Sequence, residues 1–218
     1  MSNILSWKSS IDVIVWDVDG TLYKSDPEMW DLMNLEIRRG VSEKVKIPFA
    51  SFAIAYDQVY AKLGSHTQTL DHFDVDGRKM IHDVIQKKLP SLLSVDRKLK
   101  TMFERLKKYR HIVLSNAGEK MTKKKLDVLG VGKGVFERIF STYEMDWVKP
   151  DRRVFDHVVN ELGVDASRCL MVGDRVETDL APAKAIGMRT CMVWGESSEV
   201  DLSVNTVYEL GEMLGGKR

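Results

Sequence analysis

The run Asp17-Val18-Asp19-Gly20-Thr21-Leu22 places two carboxylates two positions apart. The preceding Ile11-Asp12-Val13-Ile14-Val15-Trp16 is β-branched and apolar and reads as a buried strand. Alternate positions of a strand face the same side, so two acids spaced this way repel each other. A bound divalent cation removes that repulsion, and paired carboxylates can serve both nucleophilic and acid–base chemistry. The four fixed letters of D-x-D-G-T arise by chance in on the order of one chain in a thousand, at ~5% usage per residue. Taken alone, an Asp-rich turn is the competing reading.

Three further groups carry suitable chemistry. Leu114-Ser115-Asn116 puts a hydroxyl and an amide after an apolar run, where both can donate to a phosphate oxygen. Ser-Asn is also ordinary turn chemistry. Val148-Lys149-Pro150-Asp151 supplies a point charge able to hold a phosphate against a carboxylate, with Pro150 placed to start the next helix. A surface lysine is the plain alternative. Met171-Val172-Gly173-Asp174 runs into Arg175-Val176-Glu177-Thr178-Asp179 as a helix begins. Asp174 reads as a metal ligand, whereas Thr178 and Asp179 could equally cap the helix.

The elements that must position these groups are legible around them. Apolar runs at 111–114, 169–172 and 190–194 read as strands, with a weaker one at 138–142. Helical patterns at 119–129, 152–162 and 178–186 separate them, followed by Gly130, Gly163 and Gly187 as stop signals. Strands alternating with helices predict βαβ units and a parallel sheet. Each chemical group follows a strand, so all four should meet at one sheet edge. From Tyr23 to about Lys108 the rhythm stops, and only helical candidates appear, at 27–44, 49–63, 76–89 and 95–108. The expected fold is therefore α/β: a Rossmann-like parallel sheet flanked by helices, with an all-helical cap domain inserted after the first strand. Residues 1–22 and 109–218 would form the core and 23–108 the cap. Insertions at the carboxyl ends of parallel strands belong to the ligand crevice.

Composition narrows the function classes. The chain has 218 residues, 33 basic and 32 acidic, for a net charge of +1. No basic excess is available for a nucleic-acid polymer, and Lys123-Lys124-Lys125 reads as a solvated helix face. Cys169 and Cys191 lie in apolar runs without a CxxC or His-spaced partner, so buried free thiols are expected, as suits a reducing cytoplasm. Met1–Ser10 lacks the pattern of a signal peptide. No apolar run approaches the ~20 residues that span a bilayer. The expectation is a cytoplasmic protein, monomer or homodimer, with a small phosphorylated metabolite as its partner and no membrane.

In order and over nearly its full length the chain resembles the haloacid dehalogenase superfamily. Asp17-x-Asp19-Gly20-Thr21 resembles its first motif, Ser115-Asn116 the second, Lys149-Pro150 the third, and Gly173-Asp174 through Asp179 the fourth. The helical insertion is similar to the family's first type of cap. The resemblance implies a phosphatase in which Asp17 attacks phosphorus in line and becomes an aspartyl-phosphate. Asp19 would protonate the leaving oxygen and then take a proton from water. Thr21, Ser115, Asn116 and Lys149 would contact the phosphoryl group, and magnesium would be bound by Asp17, the carbonyl of Asp19, and Asp174. Asp179 would act on the metal through a water or orient Lys149.

Several activities share this framework. A metal-independent dehalogenase has no leaving alcohol to protonate, so Asp19 with Asp174 favours phosphoryl transfer. A phosphomutase would use the same groups, and phosphonate cleavage would want a cap lysine, for which Lys62 is the candidate. A receiver domain would lack both the insertion and the DxDGT run, and a binding protein that had lost turnover need not keep both aspartates. Tyr23-Lys24-Ser25, Tyr56, Tyr60, Gly64 and His72–Asp76 are similar to the pyrimidine 5′-nucleotidase branch. Tyr60, His66 and His72 are accordingly the substrate-binding candidates of the cap, with helix packing and solvent exposure as the alternatives. A sugar phosphate or phosphoglycolate-like substrate is the second expectation.

Overall fold

The computed structural model describes residues 7–24, 27–63, 66–132 and 134–215. The first six residues, Ser25 and Gly64 lie outside the described residues. Six strands form one sheet: β1 Val13–Trp16, β2 Arg110–Ser115, β3 Arg138–Ser141, β4 Cys169–Gly173, β5 Arg189–Val193 and β6 Leu202–Val204. Their order is β3-β2-β1-β4-β5-β6, and every pairing is parallel. The chain thus builds outward from β1 on one side and returns to build on the other. That reversal makes a switch point between β1 and β4, the place where open parallel sheets hold ligands. Trp16 pairs with Val113 and with Val172, so Asp17 stands level with Leu114 and Gly173 at the carboxyl edge.

β1 is buried along its whole length, as a central parallel strand must be. Alternation sends Val13 and Val15 to one face, where they join Ile112, Leu114 and Met171 against Val154, Phe155 and Val158 of the helix Arg152–Leu162. On the other face the Trp16 ring meets Phe103 edge-on, 5.1 Å between centroids. Helices Glu119–Leu129 and Arg152–Leu162 end at Gly130 and Gly163, both left-handed. The expected helix over 178–186 is split into a π-type turn, Val176–Leu180, and a short helix, Ala181–Ala185. Pro182 lacks an N–H and sits in the first turn of the second piece. β6 and the helix His66–Asp71 are too short to leave a periodic signal in the sequence.

The chain divides into two compact units, 1–25 with 94–218, and 26–93. The helical segment therefore ends near 93, not 108. Helix Arg97–Arg105 belongs to the sheet-bearing unit because it buries Leu99, Met102 and Phe103 there. Asp96 caps it, accepting from Leu99 N at 2.9 Å, and also accepts from the Tyr208 hydroxyl at 2.6 Å. The helical unit contains Pro27–Val45, Phe49–Leu63, His66–Asp71 and Gly77–Leu92. Ile37, Val41, Phe52, Tyr56, Leu70 and Val75 form its own core. Cys169 and Cys191 are buried and free. Among the described residues no helix is long and apolar enough to cross a membrane.

Candidate active site

The strand ends of β1 and β4 bring Asp17, Asp174 and Asp179 together, with ligand atoms within 4.8 Å of one another. Lys149 joins them from the loop after β3. Its ammonium donates to Asp17 Oδ1 at 2.7 Å and to Asp179 Oδ1 at 2.6 Å. All of Asp17, Lys149 and Asp179 are buried. Asp179 is therefore no mere helix cap: it is a buried ion-pair partner of the lysine. Thr21 Oγ1 donates to Asp17 Oδ2 at 2.8 Å and lies 3.4 Å from Asp174 Oδ1, so its hydroxyl is engaged by the acidic cluster. Gly20 makes the turn possible, with a left-handed φ of 87° that disfavours side chains.

Electrostatics here is unbalanced. Three carboxylates, Asp17 and Asp179 buried and Asp174 half-buried, outnumber the one ammonium of Lys149 by two charges. Burial, then the charges of Asp179 and Asp19, push the Asp17 carboxyl up against the pull of Lys149. Burial, followed by Asp17 and Asp179, pushes Asp174 up to about 6. Burial works against the Lys149 ammonium, yet Asp17 and Asp179 outweigh it and hold it above the usual lysine range. Asp179 Oδ2 is buried with no hydrogen-bond partner. An orphaned carboxylate oxygen beside two further acids, with a charge surplus of two, fits a hard divalent cation with oxygen ligands. The donor set therefore suits magnesium.

Asp19 takes a different environment from Asp17, although it lies only two residues on. Its carboxylate is turned to Lys125, whose ammonium lies 2.5 Å from Oδ2 and also contacts Oδ1. The Tyr23 hydroxyl donates to Asp19 Oδ1 as well. Burial would raise the Asp19 carboxyl, but Lys125, then Tyr23, outweigh it and hold it below the ordinary range. Burial and the Asp19 charge push the Tyr23 phenol far up. Lys125 overturns the expectation of a solvated face for Lys123-Lys124-Lys125, since it is only 2% exposed. A three-lysine run hides the one residue whose helical phase points inward; the helix period carries the signal that composition conceals.

The second and third groups are tied to each other. Ser115 is buried, and its Oγ accepts from Ala117 N at 3.1 Å, which leaves the hydroxyl hydrogen to donate. Asn116 serves the lysine loop instead of projecting its amide as a phosphate donor. Its Nδ2 donates to the Lys149 carbonyl at 3.1 Å. Its Oδ1 accepts from Lys149 N at 3.0 Å and from Thr142 Oγ1 at 2.7 Å. Pro150 lies outside the following helix, which Asp151 caps by accepting from Arg153 N at 2.9 Å. Trp194, at the end of β5, has a left-handed φ of 64°, and its indole donates to the Thr21 carbonyl at 2.9 Å. Nothing in the sequence marks Trp194 or Thr142, because their partners are distant along the chain.

Tyr60, His66 and His72 belong to the helical unit. Tyr60 and His66 stack at 4.4 Å between centroids, and the Tyr56 hydroxyl meets His66 Nδ1 at 2.7 Å. Arg38 lies 4.6 Å over the Tyr56 ring and pairs with Asp57 at 2.8 Å. His72 is exposed and meets Phe73 edge-on at 5.3 Å. Lys62 is exposed.

Comparisons with known proteins bear on the family and the fold. The family described as haloacid dehalogenase-like hydrolase matches residues 11–187. N-acylneuraminate-9-phosphatase of Rattus norvegicus is 26% identical over 130 residues, covering 56% of this chain and 52% of that protein. Pyrimidine 5′-nucleotidase YjjG of Escherichia coli K12 is 26% identical over 109 residues, covering 47% of this chain and 48% of that protein. The chain thus spans about half the length of these two curated relatives. The crystal structure of a HAD phosphatase from Thermococcus onnurineus superposes with a TM-score of 0.74 at 21% identity, covering 95% of this chain and 100% of that one. The parallel sheet with its switch point, the four strand-end groups and a family match over most of the chain lead to one assignment: this protein belongs to the haloacid dehalogenase-like hydrolases.

Proposed function

We propose that the protein hydrolyses a small phosphomonoester through an aspartyl-phosphate on Asp17. The observation that carries this reading is the contrast between two carboxylates of one short loop. Asp17 faces the acidic cluster and Lys149, whereas Asp19 is turned to Lys125 and Tyr23. Two neighbouring acids in separate environments suit two separate roles. An Asp17 oxygen attacks phosphorus while the bond from phosphorus to the leaving oxygen breaks, and Asp19 gives that oxygen a proton, one it must first take up against the pull of Lys125 and Tyr23. Asp19, now a carboxylate, takes a proton from water as the water oxygen bonds to phosphorus. The bond from phosphorus to Asp17 then breaks, releasing inorganic phosphate and restoring the carboxylate. Lys149 offsets the charge of the transferring group, and the Ser115 hydroxyl donates to it. Magnesium held by Asp17, Asp174 and the Asp19 carbonyl, near Asp179, would supply Lewis-acid charge neutralisation.

For the substrate, a pyrimidine nucleoside 5′-monophosphate is our first choice, supported by the likeness to a pyrimidine 5′-nucleotidase. A sugar or hydroxy-acid phosphate follows, supported by the likeness to an N-acylneuraminate-9-phosphatase. The test is phosphate release from a panel of such esters with magnesium present. Asp17→Asn should lower turnover by roughly a thousandfold or more while keeping the native melting temperature. Chelation should stop release and added magnesium restore it, with calcium serving poorly because it takes more ligands at longer distances. Full turnover by a folded Asp17→Asn protein would refute the mechanism.

A further inference from the structure

Lys125 is a buried lysine in the middle of a helix, 2% exposed, and taking an ammonium out of water is expensive unless its partner is well placed. Its partner is Asp19, the carboxylate that the proposed mechanism needs for proton transfer. The helix Glu119–Leu129 delivers the ammonium to both carboxylate oxygens, and the Tyr23 hydroxyl reaches Oδ1 from four residues along the nucleophile loop. The Asp19 side chain remains 30% exposed, so the arrangement fixes it without enclosing it. Without such an anchor the carboxylate would be free to turn toward the cluster of Asp17, Asp174 and Asp179, where it would compete for the cation. With it, the acidic cluster and the proton-transfer group stay separate.

We propose that Lys125, assisted by the Tyr23 hydroxyl, is the positioning residue for the proton-transfer carboxylate, holding Asp19 in a fixed orientation apart from the acidic cluster. This inference rests on the function proposed above. Both residues bond to Asp19 and act through its carboxylate. A purely structural ion pair between a helix and a loop would alter all substrates alike. A positioning residue makes its largest difference where protonation of the leaving group matters most.

The experiment compares kcat/KM, which reports the first transfer step, on p-nitrophenyl phosphate, phenyl phosphate and an alkyl phosphate. Lys125→Met removes the charge at similar volume. Measured at the pH optimum of each protein, since removing the Lys125 charge also raises Asp19, its loss on the alkyl ester should exceed that on p-nitrophenyl phosphate by about tenfold or more, because a nitrophenolate leaves without a proton. Lys125→Arg should restore much of the leaving-group insensitivity. In an Asp19→Asn background, adding Lys125→Met should change kcat/KM by less than about twofold, since the group it positions is already gone. A loss equal across the three esters, or one that persists undiminished in the Asp19→Asn background, overturns the proposal. If Lys125→Met does not fold, Tyr23→Phe, which removes one hydrogen bond and no charge, decides between the same two outcomes with smaller effects. Failure of the parent mechanism shows up separately, as an Asp19→Asn single variant with no leaving-group dependence of its own.

Discussion

Asn116 illustrates how a residue with the right chemistry can act one step away from the reaction. Its amide donates to the Lys149 carbonyl and accepts from the Lys149 N–H and the Thr142 hydroxyl, so it braces the Lys149 backbone on both sides. Lys149 in turn reaches Asp17 and Asp179 only from that position. Asn116→Ala would leave the Lys149 N–H and carbonyl short of partners, at about 1–3 kcal/mol. We expect a lower melting temperature and a fall in kcat of roughly tenfold to a hundredfold, because small displacements at a charge-stabilising group are costly. Thermal unfolding together with phosphate release would check both. An unchanged kcat would show that Lys149 is held in place by its carboxylate partners alone.

Between elements, His111 couples β2 to β1 and to the helix Arg97–Arg105. Trp16 Nε1 donates to His111 Nδ1 at 3.1 Å, and His111 Nε2 donates to the Leu106 carbonyl at 3.1 Å. Nδ1 must therefore be an acceptor, and the ring is neutral. Burial, against the favourable Leu106 bond, pushes its pKa from 6.5 down to about 4. As pH falls through 6.5 the unfolded chain takes up this proton and the folded one does not. The stabilisation is thus complete above 6.5, is lost between 6.5 and about 4, and amounts to roughly 3 kcal/mol at most. His111→Gln keeps a donor and an acceptor without titrating. Urea unfolding of both proteins at stepped pH should converge toward acid, with the wild-type curve falling more steeply over that window. Parallel curves would mean that His111 does not stay neutral in the folded chain.

On the scale of the whole molecule, the chain joins a sheet-bearing unit that holds every proposed catalytic group to a helical unit with a core of its own. Such a division lets chemistry and preference vary independently, and selection among substrates appears in the ratios of kcat/KM. Tyr60→Ala, His66→Ala and His72→Ala are expected to reorder kcat/KM among nucleotide and sugar phosphates while leaving p-nitrophenyl phosphate within about threefold. The packing of Tyr60 on His66, and of Tyr56 against both His66 and Arg38, supplies the competing outcome. If that stack only stabilises the unit, Tyr60→Ala and His66→Ala will lower its melting temperature and leave the order untouched.

The residues of the proposed site could be singled out along the chain: Asp17, Asp19, Ser115, Lys149 and Asp174 each follow an apolar run or lie in a short motif. So were the alternation of strands and helices and the helical insertion, because periodicity and stop signals are local properties. Tertiary structure decided the rest. Only packing could show that Lys125 turns inward to Asp19 while its two lysine neighbours share its composition. Only the loop after β3 could make Asn116 a brace for Lys149, and only the return of β5 to the sheet could bring Trp194 to the Thr21 carbonyl. The end of the helical unit moved to 93 for the same reason, since Leu99 and Phe103 bury against strands that lie elsewhere in the sequence. Local pattern specifies which elements form; the partner of a buried charge or an amide is set by which elements meet, and that information is spread over the whole chain.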